Sequence, residues 1–491
     1  MSFVTDEFVV FYIIVAALYF LIPHRHRWKL LLASSYFFYG YYRLDYLLLF
    51  IFITVFNFTL ALLIDDTPKE NTALRRVYFL GSIVGSLAIL FVFKYFNFVG
   101  ESINALLTSL GTGGAIPTLH LLLPIGISFH IFQAIGHTID VYNGRIEAER
   151  HLGIFATFNA FFPQLVAGPI ERASHLLPQF RVEHHFDYDR AVSGLRMVLW
   201  GAFKKIVIAD RLAAYVNTVY NNAYDYTGIH LILATFFFAV QIYCDFSGYS
   251  DIAIGVARII GFDMMINFKQ PYFSRSIREF WRRWHISLST WFRDYVYFPM
   301  GGNRVPFLRN LFNLFFVFLI SGLWHGASWT FVIWGALHGG IIIAEELIER
   351  IFRRGKPVAP VWWRQVLSTA ITFGLVMFAW IFFRANSLDD ALYVVRHLFD
   401  FSAGFSNFAE PFGSIAPLDM YRLEFMMAIM SIAILFVYDG WSFFASQQKE
   451  GQVVPMPRVP TAVRWLTYYA MIALVLYSAS TSQPNFIYFQ F

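Results

Sequence analysis

Two histidines are the residues best suited to chemistry in this chain. His285 lies in EFWRRWHISLSTWFRDY (residues 279–295), crowded by three arginines and three tryptophans. His325 lies in FLISGLWHGASWTFVIW (residues 318–334), between two apolar runs and beside Gly322 and Gly326. Imidazole, with an ordinary pKa of about 6.5, can take or give a proton at neutral pH. As a general base it is worth about 10²–10⁴ in rate, and it can instead accept an acyl group as a nucleophile. The residues alone do not separate these two roles. Guanidinium forks pair with phosphate oxygens, so Arg278, Arg282 and Arg283 suit the head group of a phosphate-bearing donor.

The elements that must hold these residues follow from spacing. Ser276 and Glu279 form a capping-box pattern, which starts a helix at Ile277. Continued as one helix, it sets Arg278, Arg282, His285 and Ser289 on one polar stripe, with Trp281, Trp284, Leu288 and Trp291 beside them. That pattern predicts an interfacial amphipathic helix, its tryptophans at the level of the lipid headgroups. Between Lys269 and Arg309 eight Lys or Arg face two acids, which places the amphipathic segment 262–306 in the cytoplasm. An anchor on anionic lipid would account for the arginines and tryptophans, but not for His285. The stretch 307–348 reads as a hairpin. Its outer ends are basic (Arg304 and Arg309, then Arg350, Arg353, Arg354 and Lys356), so the turn with His325 lies within or beyond the bilayer. Glycines at that turn let backbone approach closely, and ionisable groups at membrane depth are expensive and mostly functional.

The whole chain supports a membrane setting. Of its 491 residues 58% are hydrophobic and only 14% charged, against roughly 25% charged in soluble domains. Apolar runs near 8–23, 30–42, 45–64, 78–99, 119–142, 151–167, 192–212, 229–249, 307–323, 328–348, 366–383, 423–445 and 463–480 predict an all-α polytopic protein. Roughly 11–13 spans are expected, with short interfacial helices. The longest polar stretches, 168–190, 262–306 and 446–462, fall short of the roughly 100–150 residues of a typical domain, so residues 1–491 read as one integral membrane domain. The acidic leader before Phe8 and the basic run Arg25, Arg27, Lys29 suggest a retained first helix with the N-terminus outside.

Several chemistries are excluded or weak. One cysteine, Cys244, rules out an intrachain disulfide and multi-cysteine metal sites. There is no P-loop, G-x-G-x-x-G, G-x-S-x-G or HExxH. His130 and His137 share a helix face but lack a third ligand, so no metal is expected and a structural role is the better reading. A net charge of +5 is absorbed by cytoplasmic loops and gives no reason to expect nucleic acid. Within QIYCDFSGYSDIA (241–253), Asp245 is either a proton relay or a helix-packing group. Asp245, Ser289 and Trp324 are candidates for a polar network around the histidines.

Four blocks resemble the membrane-bound O-acyltransferase family: QLVAGPIERASHLLPQF (164–180), CDFSGYSDIAIGVARIIGF (244–262), NFKQPYFSRSIREFWRRWHISLSTWFRDYVYFPMGGNR (267–304) and GLWHGASWTFVIWGALHG (322–339). WIFFRANSLDDA (380–391) and the terminal FIYFQF (486–491) are more similar to its bacterial alginate O-acetylation branch, related to the teichoic-acid D-alanyl transfer proteins. An aromatic often stands in the family where this chain has His130. The resemblance implies a ring of helices around a tunnel or funnel, with His325 closest to acyl transfer and His285 as the second signature histidine. It further implies an O-acetyltransferase with no bound cofactor, fed by acetyl-CoA or another cytoplasmic acyl thioester. The enzyme would sit in a bacterial cytoplasmic membrane, among lipids, and serve an exported polysaccharide. An extracytoplasmic acetylase would be its partner, because the chain has no outside domain to bind the polymer. D-alanyl transfer from a carrier protein is the nearest alternative. A proton-coupled transporter is the alternative of another class, weakened by the absence of an internal repeat.

Overall fold

The structure, a computed structural model, describes residues 1–491 except 42, 115, 166–167, 354–360, 403, 405–407, 415–420, 449–459 and 480–491. Val166, Ala167, Arg354, Lys356, the terminal FIYFQF and most of the 446–462 loop therefore lie outside the described residues. Every regular element among the described residues is helical. The chain is an all-α multi-pass membrane protein.

Eight helices among the described residues are long and apolar enough to cross a bilayer. They are Leu44–Asp66, Thr72–Ser109, Ile229–Ile259, Phe307–His325, Trp329–Ile351, Trp362–Arg384, Tyr421–Ala445 and Thr461–Ala479. The other expected spans form shorter or broken helices. Asp6–Leu21, His24–Gly40 and Ile127–Tyr142 have only 16, 17 and 16 residues. The 151–167 run splits into Leu152–Ala160 and Phe162–Leu165. The 192–212 run becomes Tyr188–Ala202, a π-helical stretch Phe203–Ala209 and Asp210–Asn221. Arg25, Arg27 and Lys29 begin a helix and are not a loop; Arg27 is buried, its guanidinium over the Tyr19 ring at 4.8 Å.

By internal contacts the chain forms two compact units. The first comprises Met1–Val198 with Ile252–Met265, and the second Leu199–Asp251 with Ile266–Phe491. In the first, Gly194 and Gly255 let two helices touch: a Cβ on Gly194 would sit 2.6 Å from the Gly255 carbonyl oxygen. The second holds the larger aromatic core and both signature histidines.

The hairpin expected over 307–348 is present. Phe307–His325 and Trp329–Ile348 are joined by residues 326–328, and Ser328 caps the second helix by accepting from the Thr330 N–H. Glycine is required at this crossing. A Cβ on Gly322 would lie 2.3 Å from the Phe331 carbonyl oxygen, and one on Gly335 2.4 Å from that of Phe318. At the opposite end Arg350 covers the Phe307 ring at 4.0 Å, so the two outer ends of the hairpin lie together.

Candidate active site

The capping box predicted at Ser276 forms. Its hydroxyl accepts from the Glu279 N–H at 3.0 Å, and the Glu279 carboxylate turns back to the Arg275 N–H at 2.9 Å. The helix, however, does not run through His285. It ends at Arg283, and a second short helix spans Ile286–Phe292. Trp284 is extended and His285 left-handed (φ 43°, ψ 55°) between them. The single polar stripe of the sequence reading is thus broken in the middle. Nor do the tryptophans offer a lipid-facing stripe, because Trp281, Trp284 and Trp291 are all buried in protein. His285 itself is completely buried.

This kink aims His285 inward. Its ring lies 6.4 Å from that of His325, the last residue of the Phe307–His325 helix. An aromatic shell encloses the pair. Phe246 meets His285 edge-on at 4.6 Å, and Trp324, Trp334 and Phe383 meet His325 at 5.0, 5.0 and 5.4 Å. Trp334 stacks in turn on Trp380 at 5.9 Å. Such aromatic contacts fix ring orientation and exclude water. Complete burial also pushes the His285 imidazole below its ordinary pKa, so it stays neutral and can accept a hydrogen bond.

Of the remaining predicted residues, Trp324 belongs to this shell, 6.1 Å from His285. Ser289 serves the backbone instead; its hydroxyl donates to the Trp284 carbonyl at 3.2 Å and reinforces the kink. Arg278 pairs with Glu346, and Arg283 pairs with Glu279 at 2.9 Å and lies over Phe443. Arg282 is exposed and forms no ion pair among the described residues. Asp245 is buried against Lys205 at 2.7 Å, and Lys205 also reaches Asp210 at 2.6 Å. Lys204 pairs with Asp251 at 2.8 Å. The wider π turn at Phe203–Ala209 lets two adjacent lysines both reach the Ile229–Ile259 helix. Gly248 permits that approach, since a Cβ there would stand 2.8 Å from the Gly201 carbonyl oxygen.

Sequence reasoning passed over these two lysines, although a lysine pair inside an apolar run calls for buried carboxylates. It also passed over His338, fully buried, whose Nδ1 accepts from the Trp281 indole at 3.3 Å. Arg384, within WIFFRANSLDDA, is a further such residue. It is buried and donates to Asn386, Asn217 and Asn221, tying the end of Trp362–Arg384 to Asp210–Asn221 just where Phe383 meets His325. No group of three or more metal-binding side chains occurs among the described residues.

A family model for membrane-bound O-acyltransferases matches residues 151–386, a span that contains both histidines. The chain is 39% identical to a protein named as a probable alginate O-acetylase of Azotobacter vinelandii, across 96% of each chain. It is 36% identical to a peptidoglycan O-acetyltransferase of Helicobacter pylori over 74% of this chain and 72% of that one. With a teichoic acid D-alanyltransferase of Bacillus subtilis it shares 26% identity over 62% of this chain and 77% of the other. Fold and relatives together define the class, a multi-pass membrane enzyme that transfers acyl groups to oxygen. The chain belongs to the membrane-bound O-acyltransferase family. That membership removes the transporter reading.

Proposed function

We propose that this O-acyltransferase takes an acetyl group from a cytoplasmic thioester, such as acetyl-CoA, and delivers it across the membrane for O-acetylation of an exported polysaccharide. The observation that carries the reading is the convergence of His285 and His325 within one aromatic shell. The near full-length similarity to a protein named for alginate O-acetylation favours acetyl over D-alanyl, whose named relative is more distant. His325 is the base: its imidazole takes the proton of an attacking hydroxyl as that oxygen bonds to the acyl carbon. The C–S bond then breaks, and the thiolate leaves with the proton. His285, held neutral, orients the thioester carbonyl or relays that proton. Arg282 is the arm for donor phosphates, while Arg278 and Arg283 add positive field but are already shared with Glu346 and Glu279.

No polar stretch reaches the size of a separate domain, so the acceptor on the far side is best supplied by an extracytoplasmic acetylase with its own nucleophilic hydroxyl. The membrane is a bacterial cytoplasmic membrane, with the 262–306 segment inside and the N-terminus outside. The test is reconstitution in sealed vesicles, with acetyl-CoA on the side of the 262–306 segment and polysaccharide on the other. Thioester cleavage that becomes polymer acetylation only when the partner is added supports the reading. Efficient polymer acetylation by this chain alone overturns the division of labour, and the absence of thioester cleavage with or without partner overturns the donor.

A further inference from the structure

The left-handed conformation of His285 needs an explanation. Among the described residues only His285 and Gln270 adopt positive φ without being glycine, both at 43°. An L-residue with a large side chain pays for that conformation in steric strain, and it persists only where its surroundings impose it. At His285 the surroundings converge on one residue.

Asn267 is completely buried. Its carbonyl accepts from the Ile286 N–H at 3.0 Å, immediately after the histidine. Its side-chain Oδ1 accepts from the Ser287 hydroxyl at 2.7 Å and from the Ser287 N–H at 3.4 Å. Its Nδ2 donates to the Ser250 hydroxyl at 3.1 Å, which fixes the amide to the Ile229–Ile259 helix. Two residues on, the Lys269 N–H donates to the Arg283 carbonyl at 2.9 Å. The Arg283 guanidinium donates back to the Lys269 carbonyl at 3.2 Å, so the 267–269 segment brackets Trp284 and His285 with two bonds before them and three after. The same helix that receives Asn267 through Ser250 also presents Phe246 to the imidazole at 4.6 Å. One face of this bracket sets the backbone of His285, and the other sets the wall against its ring.

We propose that Asn267 is a positioning residue for acyl transfer, holding the His285 backbone left-handed so that its imidazole faces His325. This rests on the reading that His285 takes part in the reaction. Asn267 touches neither substrate nor reacting atoms; it acts through the histidine. Displacing a reacting group by roughly an ångström can cost on the order of 10²-fold in rate.

The test uses the full-length protein in vesicles, comparing Asn267→Ala, Ser287→Ala and His285→Ala by steady-state kinetics and by amide hydrogen exchange. Asn267→Ala should lower kcat by about 10- to 100-fold with donor KM within about twofold, because the donor's binding groups stay in place. Exchange should rise over residues 284–289 and stay unchanged in the Phe307–His325 helix. Ser287→Ala, which removes one of the bonds, should lower kcat by about three- to tenfold in the same direction. If Asn267→Ala does not fold, Ser287→Ala carries the test alone. Combining Asn267→Ala with His285→Ala should be no slower than His285→Ala by itself, since coupled residues are not additive. Wild-type kcat in a folded Asn267→Ala or in Ser287→Ala overturns the proposal, as does a rate loss without local exchange. Wild-type turnover in His285→Ala would instead overturn the role of the histidine, while leaving the exchange effect of Asn267→Ala in place.

Discussion

The first compact unit buries two histidines and the second three, and the surroundings of His130 and His137 differ from those of His285 and His325. In the first unit His130 and His137 lie two turns apart on one helix, Ile127–Tyr142, yet they serve separate neighbours. His130 stacks on Phe50 with ring centroids 3.6 Å apart, its Nε2 3.3 Å from the Thr54 hydroxyl, while His137 packs against Phe155 at 4.8 Å. In the second unit His285 and His325 come from segments far apart in sequence, yet their rings are neighbours in one shell. All four are buried. Burial of a histidine is therefore not the signal for chemistry. The proposed function rests instead on the convergence of two, since a transferred group must be met from more than one side.

The largest expected effect breaks the second pair. His325→Ala should lower acyl transfer by about 10²–10⁴, the usual worth of a positioned acid–base group. Folded yield should stay near wild type, since the shell of Trp324, Trp334 and Phe383 remains. His325→Asn or Gln should not rescue, as neither titrates near neutral pH. The measurement is thioester consumption per folded molecule in vesicles. Activity near wild type in any of these variants would return His325 to the same standing as His137.

The contrast between the pairs was only partly legible in the sequence. The hairpin that carries His325 could be read from two apolar runs meeting at a glycine-flanked turn, and it is present. The glycines Gly322 and Gly335 then close that hairpin by contact, as small residues in a helix crossing do. The surroundings of His285 were misread. Arg278, Arg282, His285 and Ser289 fit a helical period, and periodicity carries no sign of a single left-handed residue imposed by Asn267 from outside the helix. Long-range partners were invisible for the same reason. Nothing local joins Lys205 to Asp245, or Arg384 to Asn217 and Asn221. Overall helicity was plain from composition, whereas span counts depended on where helices break, as at Phe161 and the π turn Phe203–Ala209.

A second, smaller effect concerns His137, and its sign is the informative part. Neither ring nitrogen of His137 has a hydrogen-bond partner among the described residues. A buried polar group left unsatisfied costs about 1–3 kcal/mol, so replacing it with an apolar side chain of similar size should be neutral or stabilising. His137→Leu should therefore match or exceed wild type in resistance to denaturant in detergent micelles, gaining up to about 1–3 kcal/mol. Acyl transfer per folded molecule should not change. Clear destabilisation would mean that His137 is held by a polar partner, and the proposed difference between the pairs would weaken.

The smallest effect is expected at His130. This histidine does have a polar contact, to Thr54, but that hydroxyl also lies 3.0 Å from the Phe50 carbonyl as donor. Removing the imidazole therefore leaves no orphan on the threonine. His130 also borders a small cavity lined by Gln133, Asn159 and Gln164, so a slightly larger ring has somewhere to go. His130→Phe keeps the stacking surface for Phe50 and gives up the polar contacts of the imidazole, to the Thr54 hydroxyl and to the Asn159 and Phe50 backbone. The new ring adds volume, and the cavity takes up the extra atoms, which keeps the cost at the low end of the roughly 1–3 kcal/mol of over-filling a packed site. The variant should unfold within about 1 kcal/mol of wild type and retain full acyl transfer. Denaturant titration and the vesicle assay check the two halves separately. A large loss of turnover with unchanged stability would show that His130 meets the substrate, and the first unit would then hold a site of its own.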